Sequence, residues 1–194
     1  MTPLPFVWPY ALLFWAVLIW AYVPEFRIVR SARRNQGAAD SRSLQLILRG
    51  QSLASLVSYP LAWIPALQFS ILHRAAVFFI GIATIFAGSL LRRHCWRMLG
   101  GSFTGDVQAT PDQAIVTRGA YRFVRHPSYT AGIMLNAGVG IALGSWASTV
   151  LLGATSVAVY RYRMTVEERA LAAVVGEPYR EFMRRRKRLI PFVY

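Results

Sequence analysis

Two short polar clusters hold the residues best suited to chemistry: VTRGAYRFVRHPSY over residues 116–129, and RMTVEERAL over 163–171, the second followed by GEPYREFMRRRKRLIPF. Arg163 and Glu167 stand four residues apart, which places them on one face of a helix. A fixed cation beside a fixed carboxylate suits a zwitterion, and the same spacing serves an ordinary intrahelical ion pair equally well. His126 precedes Pro127. Proline disfavours helix at the residue before it and is well placed at a first helical position, so a helix can begin near Pro127 with its free amides toward the preceding loop, where anionic groups are favoured. A capped helix whose histidine bonds to backbone is the plainer reading of a lone His-Pro. Metal chemistry is not indicated, because His73, His94 and His126 share no ligand spacing and Cys95 is the only cysteine. That single cysteine also excludes an intramolecular disulfide.

Elements that could bring these clusters together are read from hydropathy. The chain has 194 residues, 55% of them hydrophobic and 15% charged, which places most of it in lipid. A net charge of +14 would suggest nucleic acid in a soluble protein, but 20 of the 22 basic residues fall in three stretches, 27–42, 92–125 and 161–194. Separated by apolar runs, they give a topology signal, and no nucleic-acid partner is expected. Residues 6–23, 44–69 and 75–91 predict three spans, with 24–43 as a loop. The first is expected to be a retained helix, since it lacks the flank and cleavage pattern of a secretory signal. Gly81 and Gly88 offer a small-residue face for close helix contact, which permits association without fixing an oligomeric state.

Residues 92–128 form a polar segment longer than a simple connection needs. Two further apolar segments, 129–144 and 146–162, are each short for independent spans and read as a tight hairpin turning at Gly144 and Ser145. Such a reversal sets the entry of the first helix beside the exit of the second, so His126 and Tyr129 approach Arg163 and Glu167. The expected fold is an all-α integral membrane protein of about five transmembrane helices. It divides into three spans over 1–91 and a region over 92–194 that comprises the loop, the hairpin and a basic tail with an unbroken cationic run over 184–188. The positive-inside rule puts the N-terminus outside and the C-terminus in the cytoplasm, as in a bacterial inner membrane.

GAYRFVRHPSY, a helical hairpin, an arginine four residues before a Glu-Glu pair, then GEPYREF and RLIPF resemble, in order, the isoprenylcysteine carboxyl methyltransferases and their relatives the phospholipid N-methyltransferases. The likeness runs from about Arg92 to Phe192. It implies S-adenosylmethionine as cofactor, held in a cytoplasmic pocket capped by the C-terminal tail, and a lipophilic or prenylated substrate entering from the bilayer. Carried over by position, the cofactor contacts are Gln108, Gln113, Ala114, Ile115, Val116, Tyr121, His126, Pro127, Ser128, Tyr129 and Glu167. Arg163 would meet a substrate carboxylate, and Arg163 and Glu167 together would carry catalysis. The chain departs from the family pattern at Gln113, where relatives often have histidine, and at Ala131, where they have glycine; Gly132 follows one place later.

Methyl transfer to a carboxylate, already ionised at neutral pH, needs alignment and exclusion of water and no general base. If the acceptor were an amine or thiol, as in a lipid N-methyltransferase, Glu168 or His126 would be the candidate proton acceptor. Two other readings stay open at this stage. A membrane reductase of the sterol type would use a nicotinamide cofactor, and a non-enzymatic scaffold would grip anionic lipid through its basic tail.

Overall fold

Apolar runs near the start of the chain and at its centre become long helices, and the computed structural model describes residues 1–34, 41–100 and 115–191 of the chain. Helix α1 (Tyr10–Arg34) carries Pro24 in its interior and continues beyond it, so the expected loop over 24–43 is shorter than hydropathy suggested. A proline removes one N–H and leaves the carbonyl four residues earlier without its helical partner. Here that carbonyl belongs to Trp20, and Arg93 donates to it at 2.7 Å while its guanidinium lies 4.4 Å from the Trp20 ring centre. The helix therefore crosses Pro24 with its backbone satisfied.

Helix α2 (Ser41–Leu61) ends one residue after Pro60, short of the expected 44–69 span. Helix α3 (Arg74–Leu99) extends well past the expected 75–91 span, because Arg92 and Arg93 turn toward α1 and find partners there. Helix α4 (Pro127–Ala142) begins at Pro127 as the His-Pro dipeptide predicts. Helix α5 (Trp146–Val174) has 29 residues, and at 1.5 Å per residue it reaches roughly 43 Å. It is thus longer than the expected 146–162 segment, and its last turns, with Arg163, Glu167 and Glu168, project beyond its apolar part. Helix α6 (Glu177–Arg185) follows.

Helix α4 is the inner helix, packed between α3 and α5, while α1 lies on α3 and α2 lies on α5. Close approach explains the glycines. A Cβ on Gly81 would stand 2.3 Å from the Ala142 nitrogen, and one on Gly140 would stand 2.4 Å from the Thr149 Cα. The packing role expected of Gly81 and Gly88 is therefore observed, since Gly88 meets the Ala131 carbonyl in the same seam. The hairpin turns over residues 143–145, where Gly144 has φ +76° and the Ser145 side chain caps α5 by accepting from the Ser148 N–H.

Contacts between helix ends sort the bundle into two ends. At one, Gln68 reaches the Met1 carbonyl, Phe69 N–H donates to Gly144, and Ser145 donates to Leu67. At the other lie the ends of α1, α3 and α5 and the starts of α2 and α4, joined by the polar contacts described below. Leucine, isoleucine and phenylalanine side chains are exposed along the outer faces of the helices, among them Leu12, Ile19, Leu53, Leu56, Phe79 and Ile80. Such a surface suits lipid better than water. Among the described residues, α3 is the one helix long and apolar enough by itself to cross a bilayer.

Candidate active site

Tyr129, in the first turn of α4, is the meeting point. Its hydroxyl donates to Glu167 Oε2 at 2.8 Å and is also hydrogen-bonded to Arg163, so the two residues four apart on α5 are linked through a residue of the facing helix. Arg163 is 4% exposed and donates from Nη1 to the Ser43 hydroxyl at 2.6 Å, which ties α5 to the start of α2. The Tyr129 ring stacks on Tyr160 at 5.0 Å. Tyr160 in turn fills the space beside Gly132, where a Cβ would meet its hydroxyl at 2.5 Å. Gly132, one place later than the family pattern has glycine, makes room for that ring.

The second carboxylate of the Glu-Glu pair has a different environment. Glu168 is 3% exposed and faces three cationic or donor groups: Arg125 Nη2 at 3.0 Å, His126 Nε2 at 3.0 Å and Arg188 Nη2 at 2.7 Å. Burial alone would raise its pKa, but hydrogen bonds from His126 and Arg188, with the added charge of Arg125, hold the carboxyl at about 2. Three donors around one buried carboxylate favour its ionised form. A depressed folded-state pKa means that the stabilising interaction is present above the unfolded carboxyl pKa and is lost only as pH falls toward 2. Glu167, 29% exposed, retains access that Glu168 lacks.

The tail is laid across this end of the bundle. The Arg125 N–H donates to the Lys187 carbonyl at 2.8 Å and the His126 N–H to the Arg188 carbonyl at 2.9 Å. Thr130 donates to Leu189 at 2.9 Å, and Arg125 Nη1 to Met183 at 2.6 Å. The cationic run over 184–188 is accordingly divided. Arg184 and Arg185 pair with Glu177 and Glu181 on the exposed side of α6, whereas Arg188 turns inward to Glu168.

Of the residues singled out in the sequence, His126, Tyr129, Arg163 and Glu167 are brought together, and the His126 Nδ1 lies 3.9 Å from Glu167 Oε2. Pro127 opens α4, and Ser128 accepts Arg92 Nη1 on both its carbonyl, at 2.9 Å, and its hydroxyl. Tyr121 is buried in a short 3-10 turn and hydrogen-bonded to Cys95 of α3. Ile115 and Val116 lie half-buried in the segment before that turn, and Gln108, Gln113 and Ala114 lie outside the described residues. The sequence reading missed Arg92 and Glu25, which form a two-point pair at 2.7 and 3.0 Å and anchor α1 beside the start of α4. A carboxylate at the end of an otherwise apolar run was the available signal.

The model of the isoprenylcysteine carboxyl methyltransferase (ICMT) family matches residues 79–173, a stretch that holds His126, Tyr129, Arg163, Glu167 and Glu168. That stretch is similar to the isoprenylcysteine carboxyl methyltransferase family. Similar relatives are a Schizosaccharomyces pombe protein-S-isoprenylcysteine O-methyltransferase, 28% identical over 153 residues that cover 76% of this chain and 62% of the relative, and the Arabidopsis thaliana B form, 30% identical with 58% of each chain covered. The solved structure of a eukaryotic intramembrane Ras methyltransferase ICMT aligns with a TM-score of 0.63 and 25% identity, over 73% of this chain and 52% of that one. The chain therefore spans about three-fifths of the length of the curated relatives it matches. The family match stops before the tail segment over 186–189 and begins after Glu25, so the outer supports of the site lie beyond the matched stretch.

Proposed function

We propose that the chain is an S-adenosylmethionine-dependent methyltransferase that esterifies a carboxylate on a lipophilic, isoprenoid-like substrate, with the basic end of the bundle in the cytoplasm. The observation that carries the reading is the bridge through Tyr129, which sets a buried arginine and a partly accessible carboxylate in one polar group at the end of an apolar bundle. Names of the relatives support the same chemistry.

The described residues fit the cofactor. Glu167 combines a carboxylate with partial exposure, which suits a cationic group, and the stacked Tyr129 and Tyr160 rings offer aromatic faces of the kind that attract sulfonium and ammonium charge. Glu167, His126 and Tyr129 would hold it, with Ile115, Val116 and Tyr121 on the loop side. When bound, S-adenosylmethionine supplies an electrophilic methyl group.

Arg163 is the residue to orient an incoming carboxylate. A guanidinium presents parallel donors that match the two oxygens of a carboxylate, and Ser43 and Tyr129 restrict its rotation. A carboxylate acceptor is already ionised, in keeping with Glu168 being saturated with cations and unsuited to accept a proton. The tail across 124–130 limits access of water on the loop side, and exclusion of water strengthens every electrostatic contact within. The substrate's apolar part is left to the bilayer face of the bundle.

Detergent-purified protein titrated with S-adenosylhomocysteine is expected to bind with micromolar affinity and to gain thermal stability by mass action. Silence toward that ligand in calorimetry, together with binding of a reduced nicotinamide, would replace this reading with the reductase.

A further inference from the structure

We propose that Glu168 is the positioning residue of the site: it fastens the tail over the start of α4 through Arg188 and dictates which nitrogen of His126 carries the ring proton. This rests on the reading of the site as a cofactor pocket. An ionised carboxylate accepts hydrogen bonds and donates none. At 3.0 Å from Glu168 Oε1, the His126 Nε2 must therefore be the protonated nitrogen. In the neutral ring, Nδ1 then presents its lone pair toward Glu167 Oε2, 3.9 Å away. With the ring neutral, the gap between those two atoms is one that a ligand N–H or O–H donor can bridge. Glu167 and Glu168 thus divide the work: one faces the ligand, and the other sets the ring opposite it.

The strap is the second half of the same device. Arg188 gives Glu168 two donors, at 2.7 and 3.1 Å, and its backbone carbonyl holds the His126 N–H. Leu189 beside it is buried, and its carbonyl takes Thr130 Oγ1. One side chain of α5 therefore determines both the ring and the segment lying over it. Residues separated by 20 and 42 positions meet there, and neither contact lies in the run of exposed arginines on α6.

The test uses the full chain in detergent. Glu168→Gln keeps the size of the side chain and removes its charge, which leaves Arg125 and Arg188 without their common anion. Trypsin digestion without ligand is expected to cut within 184–188 about tenfold faster than in the wild type, as expected when a buried ion pair loses one partner. S-adenosylhomocysteine affinity is expected to fall about tenfold, with kcat at saturating cofactor kept within about threefold, since only binding geometry is loosened. Arg188→Ala, with a more exposed side chain, should give the same directions. The double variant should add little to either single change, because the two residues act as one pair. Unchanged cleavage and unchanged affinity in both variants, or additive losses in the double variant, would overturn the proposal. A wild type that ignores S-adenosylhomocysteine would overturn the cofactor reading instead, while the strap stands or falls on the digestion alone.

Discussion

Arg163→Ala is expected to lose methyl transfer by about a thousandfold or more in kcat/KM, with S-adenosylhomocysteine affinity held within about threefold. The loss is one of orientation. Arg163 is buried and held by Ser43 and Tyr129, so it contributes a guanidinium already fixed in place. Alanine removes the donors that align the acceptor carboxylate, and it leaves the anion without a counter-charge. Arg163→Lys should recover little, because an ammonium is a point charge without the planar pair of donors. Separate measurement of single-turnover rate and cofactor binding checks this. An equal loss of both would mean that the arginine holds the cofactor or the fold.

Glu167→Gln should have the opposite signature: cofactor affinity falls by about 30-fold or more, as for removal of one side of a charge-assisted hydrogen bond, and kcat at saturation changes much less. The carboxylate is partly accessible and accepts from Tyr129, and the amide would keep that contact while losing the charge that a cationic ligand needs. Tyr129→Phe should shift affinity in the same direction by a smaller factor, since its ring still stacks on Tyr160. A Glu167→Gln variant with normal cofactor affinity and no turnover would exchange the roles assigned to the two α5 residues.

Local rules carried much of the architecture. The His-Pro dipeptide marks the start of α4 because proline acts on the residue before it, and the short reversal forces His126 and Tyr129 against α5. Gly81 and Gly88 were legible as a packing face because small residues have few other uses there. What the sequence hid depends on distant partners. Pro24 reads as a helix end until Arg93, 73 positions away from Trp20 in the chain, is seen to satisfy the Trp20 carbonyl. Glu25 and Arg92, 67 positions apart, give no spacing signal at all.

The Glu-Glu pair is the sharpest case. Adjacent residues on a helix point about 100° apart, so two identical carboxylates face different surroundings, and nothing in EER says which one meets Arg125 and Arg188. Composition likewise presented 184–188 as one cationic block. The folded chain spends Arg184 and Arg185 on the acidic residues of α6 and sends Arg188 inward to Glu168.

Purified protein supplied with methyl-labelled S-adenosylmethionine and an S-prenyl cysteine bearing a free carboxylate gives the most direct test. The account predicts label in a product that mild alkali releases as methanol, with none formed when the carboxylate is already esterified. Alkali-stable label on nitrogen, or label transfer that ignores the state of the carboxylate, would contradict it.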